Sequence, residues 1–347
     1  MNGGGHSTER LGVLLNELPL AAPIHSEALA HALQTLCRAG LDQLPQPGHG
    51  QTLQRWQALA AVAAHDLSLC KLYEGHTDAL AILEHHAVPA PVDSTWGMWA
   101  AEPPQARVTV DTDIDAKQPE AGARLYGRKA WCSGAKVLSH GLLTAWNSRG
   151  EQQLVAVALA QPGVHVTDQG WQAIGMQATQ SVEIEFDDAH GLLVGPANGY
   201  LQRPGFWQGG AGIAACWYGS AQTIGEALRK HCARHDEPHA FAHLGQVDTA
   251  LLAAATALRE CASWIDDNPH ADAELPVRRV RAVCENSAEQ VIYHVGRALG
   301  AAPYCRDATL ARHLADLPVY LRQSHAERDL AALGQLAARQ PQGSWML

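Results

Sequence analysis

No two of the eight cysteines are spaced CxxC, so zinc-ribbon and thioredoxin-type sites have no anchor in this chain. No run of 18 apolar residues occurs, so the sequence predicts no membrane-spanning helix. Charged residues are few, at 17% of the chain, and no Lys/Arg-rich run is present. Acidic residues outnumber basic ones by 35 to 25, a formal charge of −10, which argues against nucleic acid as a partner. Neither the G-x-G-x-x-G fingerprint nor the P-loop lysine motif is found, and G-x-S-x-G and HExxH are missing too. Hydrolase readings therefore lack their usual anchor. The first residues, MNGGGHSTER, carry no basic region followed by an apolar stretch. Together with scattered, unpaired cysteines this leads to the expectation of a cytoplasmic protein with reduced thiols.

What is present is an ordinary globular balance, 47% hydrophobic over 347 residues. At roughly 150 residues per domain this length suggests two to three domains. From about Ser7 to Ala90, Leu53, Trp56, Leu59, Ala60, Val62 and Ala63 recur at helical spacing, and Leu69, Leu72 and Tyr73 continue the pattern. Between Pro91 and Ala197 the pattern changes to short alternating runs. These are Arg107 to Val110, Ala123 to Tyr126, Leu142 to Trp146, Leu154 to Leu159 and Val182 to Phe186, separated by Gly127, Asn147 to Gly150 and Pro162-Gly163. They predict antiparallel strands, with an exit over Gly191 to Gly205. Beyond Phe206, four helices are expected over Ile213–Leu228, Val247–Ile265, Val277–Leu299 and Thr309–Leu336. The fold class is α+β. The expected domains are 1–92 helical, 93–200 a middle antiparallel β domain, and 201–347 a C-terminal four-helix bundle.

The stretch Gly122 to Ala135 brings a Gly turn, the basic pair Arg128-Lys129, then Trp131 and Ser133. Here the sequence resembles the acyl-CoA dehydrogenase flavoprotein superfamily, whose middle domain carries G-x-K-x-W/Y-x-T/S-x-A. The resemblance implies that Trp131 packs on an FAD isoalloxazine and that the Ser133 hydroxyl lies near the reactive flavin nitrogen. It extends in order to Glu102-Pro103, to Gly175–Ser181 with the strand after it, to Leu193-Val194-Gly195, and to Cys305-Arg306-Asp307-Ala308. It implies an FAD-binding oxidoreductase acting on the CH–CH bond of an acyl thioester. It also implies assembly as a homodimer or homotetramer, with an electron-transfer flavoprotein as a possible partner.

The chain departs from the family pattern at several points. Ala101 replaces the threonine before Glu-Pro, and Gln105-Ala106-Arg107 stands where the family has GSD. Arg234 is the one residue able to stand in for the R-x-Q-F-G segment. Arg297 replaces a family glutamine and is expected on the FAD diphosphate, as a bidentate donor. Neither family position for the catalytic glutamate holds a carboxylate. Asp316, one position off, is the expected substitute base, with a surface salt bridge to Arg312 as its bland alternative. His325, in Arg322 to Asp329, resembles the histidine of a flavin-dependent monooxygenase branch and is the proton-handling candidate for that alternative function. A catalytically silent paralogue paired with an active subunit is the third reading. His231, His235, His239 and His243 recur every four residues, but Pro238 interrupts any helical ladder, so no metal site is expected.

Overall fold

The computed structural model describes residues 3–18, 20, 24–111, 122–203 and 205–346. In chain order the helices are α1 (Gly3–Glu17), α2 (Ser26–Arg38), α3 (Thr52–His65), α4 (Leu67–His85), α5 (Gly199–Gln202), α6 (Phe206–Cys232), α7 (Pro238–Asp267), α8 (Glu274–Leu299), α9 (Ala301–Arg306), α10 (Ala308–Leu321) and α11 (Glu327–Ala338). The strands are β1 (Trp96–Trp99), β2 (Val108–Asp111), β3 (Ala123–Cys132), β4 (His140–Trp146), β5 (Gln152–Ala158), β6 (Val164–Val166) and β7 (Val182–Val194). The chain forms two compact units, residues 1–44 with 68–206 and residues 45–67 with 207–347. Both are discontinuous, because α3 belongs with the C-terminal helices rather than with α2 and α4.

In the first unit, α2 buries Leu29, Ala32, Leu33 and Leu36, the spacing of a single helical stripe. A second cluster joins Ala79, Ile82 and Leu83 of α4 to Trp96, Leu142, Leu154 and Val194 of the strands. The sheet is mixed, not purely antiparallel as the sequence suggested. β1 runs parallel to β4 from Trp96↔His140 to Trp99↔Leu143, and β2 meets β4 in parallel at Thr109↔Trp146. The β2–β3, β3–β7, β7–β5 and β5–β4 ladders are antiparallel. Together they close the ring β4–β2–β3–β7–β5–β4, which leaves few free edges.

Two strands outrun their sequence patterns. β3 passes straight through Gly127, which the sequence presented as a separator. The register slips between Leu125 and Gly127, and Gly127 takes φ +105 with its Cα hydrogens against the Arg107 carbonyl. The extra residue here is on β7, where Asp187 and Asp188 (φ 58) face the single residue Tyr126, so Gly127 is a strand residue beside a bulge rather than a turn. β7 likewise continues through Gly191, where a methyl would overlap Val155. β1 and β6, four and three residues long, have no alternating run to announce them.

In the second unit, α6, α7 and α8 correspond to the first three expected C-terminal helices. The fourth is divided. α10 runs through Pro318 to Leu321, and α11 begins only at Glu327, after Ala326 at φ 48. α10 buries Leu310, His313, Leu314, Leu317, Tyr320 and Leu321, again one stripe, and Asp307 caps it by accepting from the Leu310 N–H at 2.9 Å. Asp266 of α7 plays a similar part for α3, accepting from the Thr52 N–H at 3.1 Å. The α3–α6 contact is close: the Thr223 hydroxyl donates to the Ala64 carbonyl at 2.8 Å, and Gly219 lies on the Ala60 backbone. Six cysteines are buried, Cys37 is partly buried and Cys305 is exposed; all are free thiols. Among the described residues no helix is long and apolar enough to cross a membrane.

A methyl at Gly219 would strike the Ala60 carbonyl oxygen, so Gly219→Ala forces α3 and α6 apart. The expected loss is about 1–3 kcal/mol, read from the midpoint of a urea unfolding curve. An unchanged midpoint would contradict this packing.

Candidate functional site

The sequence candidates Trp131 and Ser133 lie together at the end of β3. Lys129 pairs with Ile184 and Cys132 with Val182, so Ala130 and Trp131 face the single residue Glu183 on β7. This one-residue bulge puts Trp131 at φ 58 and turns its indole outward, leaving it 51% exposed. A left-handed tryptophan costs of order 1–3 kcal/mol and persists only where its surroundings impose it. Met176 (φ 58) and Gln180 (φ 41), which flank the 3-10 turn Gln177–Thr179, are left-handed as well. The two strained segments are joined by the Gly134 N–H, which donates to the Thr179 carbonyl at 2.8 Å.

Behind the indole the polar groups are ordered. The Ser133 N–H donates to the Trp131 carbonyl at 3.0 Å, and the buried Trp99 indole donates to the Ser133 carbonyl at 3.2 Å. Trp99 can lie there because its ring covers Gly97 and Gly141, paired across β1 and β4, where a methyl at either would overlap it. Ser133 Oγ is 2.7 Å from Ser181 Oγ, Ser181 Oγ is 2.9 Å from Thr179 Oγ1, and Thr179 Oγ1 donates to the Met176 carbonyl at 2.7 Å. Ser181 and Thr179 fall in the Gly175–Ser181 segment of the resemblance, but no role was legible for them in the sequence.

Lys129, two residues before Trp131, is fully buried. Its ammonium donates to Glu102 Oε1, to the Thr144 carbonyl and to Thr144 Oγ1, each at 2.8 Å. Thr144 Oγ1 in turn donates to Glu102, and the Trp146 indole donates to Glu102 Oε2 at 2.7 Å. The Arg107 guanidinium lies over the Trp146 ring at 4.3 Å. Burial pushes the Lys129 ammonium down, against the pull of Glu102. For Glu102, burial pulls upward, yet the hydrogen bonds from Lys129, Thr144 and Trp146 outweigh it and hold the carboxyl below its ordinary value. Glu102 of the Glu-Pro pair is therefore a structural counter-ion that fixes β3.

The remaining sequence candidates lie in the other unit. Asp316 is buried on α10. Arg312 does not form a surface pair with it: its Nε donates to the buried Asp66 at 2.9 Å. One turn before Asp316, His313 is buried with Nδ1 2.8 Å from Ser220 Oγ of α6. Burial drives its pKa down to about 4, although Asp66 and the His65 carbonyl favour the charged form. His325 sits in the α10–α11 turn, 67% exposed, with its N–H on Asp329 Oδ2 at 3.0 Å and Nδ1 3.7 Å from the same oxygen. Arg234 is exposed in the α6–α7 turn, and Arg297 is exposed on α8 with its guanidinium 5.4 Å from its own helix's Tyr293 ring.

The histidine series is split by the break between α6 and α7. The His231 and His235 rings stack at 4.4 Å, whereas His243 Nδ1 contacts His294 Nδ1 of α8 at 2.9 Å. A different cluster, which the sequence did not announce, brings Cys37, Asp42 and His76 ligand atoms within 4.8 Å of one another. The Trp96 N–H donates to His76 Nδ1 at 3.2 Å, so the ring proton sits on Nε2, facing Asp42 at 3.2 Å and Cys37 Sγ at 3.3 Å. Burial also pushes the Cys37 thiol up to about 12. A protonated nitrogen beside a neutral thiol is a hydrogen-bonded knot, not a set of ligands ready for a metal.

No protein-family model matches the chain, and no curated protein matches it. Solved structures match it along nearly its whole length. KijD3, in complex with FMN and a dTDP-linked amino-keto sugar, has a TM-score of 0.79 at 19% identity, over 97% of this chain and 94% of that one. FMN-bound TdsC from a Paenibacillus species, a dibenzothiophene monooxygenase, has 0.77 at 17%, over 97% and 98%. The methanesulfinate monooxygenase MsuC from Pseudomonas fluorescens has 0.77 at 18%, over 98% of each chain. The chain shares the fold of these structures.

Two outcomes follow from the buried charges. Lys129→Met leaves Glu102 charged without its main partner, and the expected destabilisation is about 3 kcal/mol in urea, with the double change Lys129→Met, Glu102→Gln recovering part of it. His313 has a folded pKa below its unfolded one. The unfolded chain therefore takes up the extra proton first as pH falls. The stability this site contributes is intact above about pH 6.5 and is lost on the way down to about 4. His313→Gln should flatten that part of the Tm-against-pH curve; a curve of unchanged slope would contradict the assignment.

Proposed function

We propose that this protein is an FMN-dependent monooxygenase that inserts one oxygen atom of O2 into a small-molecule substrate. The observation that carries this reading is the outward indole of Trp131, held at a left-handed backbone position two residues before Ser133, in a fold shared with flavin enzymes. A flat, electron-poor ring needs an aromatic wall and a few placed polar groups, and these residues fit that need. The named activities of TdsC and MsuC favour oxygenation over dehydrogenation of an acyl thioester, the function first expected from the sequence. FMN, named in complexes of KijD3 and TdsC, is favoured over FAD.

When bound in its reduced form, the flavin would supply two electrons and the oxygen-activating ring, the second oxygen atom would leave as water, and a separate reductant would return the oxidised flavin to the reduced form. Trp131 would cover a face of the ring. Ser133, two residues on, would offer a hydrogen-bonding group to it. Lys129 and Glu102 hold the strand that carries both. His325, steadied by Asp329, is the first residue to test for proton handling. Dehydrogenation, by contrast, needs a carboxylate base within hydrogen-bond reach of the substrate. Asp316, the substitute for it, is buried on α10 and already has partners of its own.

The test is the visible spectrum of the purified protein after incubation with FMN and gel filtration. A retained flavin band is expected, weakened about three- to tenfold in affinity by Trp131→Ala, the worth of one aromatic stacking contact. Anaerobic acyl-CoA should leave the band oxidised. Failure to hold FMN in either redox state, or bleaching by acyl-CoA, would overturn the reading.

A further inference from the structure

The hydroxyls behind Trp131 have a fixed direction, and it follows from counting protons. A carbonyl oxygen only accepts, so the 2.7 Å contact between Thr179 Oγ1 and the Met176 carbonyl uses the single hydroxyl proton of Thr179. Thr179 Oγ1 then has only lone pairs for Ser181, so in their 2.9 Å contact Ser181 donates. Ser181 has spent its proton as well. In the 2.7 Å contact with Ser133, Ser133 must therefore be the donor. The chain runs Ser133 to Ser181 to Thr179 to the Met176 carbonyl, and all four residues are buried. Ser133 is left with lone pairs only for any further partner.

We infer that Thr179 and Ser181 are positioning residues that make Ser133 an obligate hydrogen-bond acceptor, so that this site selects reduced over oxidised flavin. The inference rests on the flavin reading above. It follows from the chemistry of the ring nitrogen that the resemblance puts beside Ser133: oxidised, this nitrogen offers a lone pair, and reduced, it carries an N–H. A lone pair set against the Ser133 lone pairs is unfavourable, whereas an N–H is satisfied. The same relay that keeps Ser133 from donating gives the site a preference for one redox state without any charged group.

The relay also predicts which changes reverse the preference. Thr179→Val removes the acceptor that holds Ser181's proton. Ser181 can then donate to Ser133, and Ser133 can donate outward. Ser181→Ala frees the Ser133 proton directly. Thr179→Ser keeps both bonds and should behave as the parent.

The experiment is fluorescence titration of the full chain with FMN, once oxidised and once reduced with dithionite under anaerobic conditions. The parent is expected to bind reduced FMN more tightly. Thr179→Val and Ser181→Ala should each lower the ratio of oxidised to reduced dissociation constants about five- to tenfold, the worth of one hydrogen bond. Thr179→Ser should preserve that ratio. A merely structural role would weaken both redox states together and leave the ratio unchanged in every variant, which would overturn the relay while leaving the flavin reading intact. A parent that prefers oxidised FMN would do the same. A parent that binds FMN in neither state would overturn the flavin reading, and the relay's role with it.

Discussion

The candidate site depends on one extra residue in β3. Between Lys129 and Cys132 the strand sets two residues against one on β7, and each neighbouring feature follows from that excess. Before the bulge, Lys129 points inward, into the only kind of interior that tolerates an ammonium, one with an acceptor for each of its three protons. At the bulge, Trp131 is forced out of the sheet and into a left-handed conformation. After it, Ser133 is turned back toward the 3-10 turn and meets Ser181. Without the extra residue, the inside–outside alternation of a strand would reverse every side chain that follows.

Both polar clusters of the β-containing unit obey the same accounting. Thr144 accepts from Lys129 and passes its own proton to Glu102, as Ser181 accepts from Ser133 and passes its proton to Thr179. Thr144, Ser181 and Thr179 each donate once and accept once, Ser133 starts its chain as a donor only, and each chain ends on a group that can only accept, a carboxylate in one and a carbonyl in the other. Such chains are rigid because reversing one member strands a buried donor, at a cost of about 1–3 kcal/mol. They need no charge facing the site, which suits a chain with few charged residues.

The helix–strand–helix order and five of the seven strands were legible in the sequence, because alternation and helical stripes report burial directly. The exceptions have physical causes. Gly127 and Gly191 read as breaks, but each is a glycine inside a strand where another backbone or side chain comes too close for a Cβ. Parallel pairing of β1 with β4 is a long-range choice that no local pattern encodes. The last helix divides at Ala326 although no Gly or Pro stands there, so residue type gave no sign of the break. Trp131 and Ser133 were legible as a pair only through the resemblance. The relay behind them was not, because small hydroxyl residues are common in turns and only their mutual distances give them direction.

The carboxylates nearest the family's motifs bear on the chemistry. Glu102 is held by Lys129, Thr144 and Trp146; Asp307 caps α10; Asp66 binds Arg312; Asp266 closes the start of α3. Asp316 is buried and has partners of its own. A carboxylate that is already committed as a counter-ion or a cap is a poor base, because its partners must first be released, and in Glu102 those partners also hold the carboxyl below its ordinary value. Abstraction of a substrate proton would therefore have to break a structural contact at each turnover. Oxygen insertion at a flavin makes a different demand: a covered ring and hydrogen-bonding groups of the right polarity. The contacts around Trp131 and Ser133 suit the second demand, the one on which the proposed function rests.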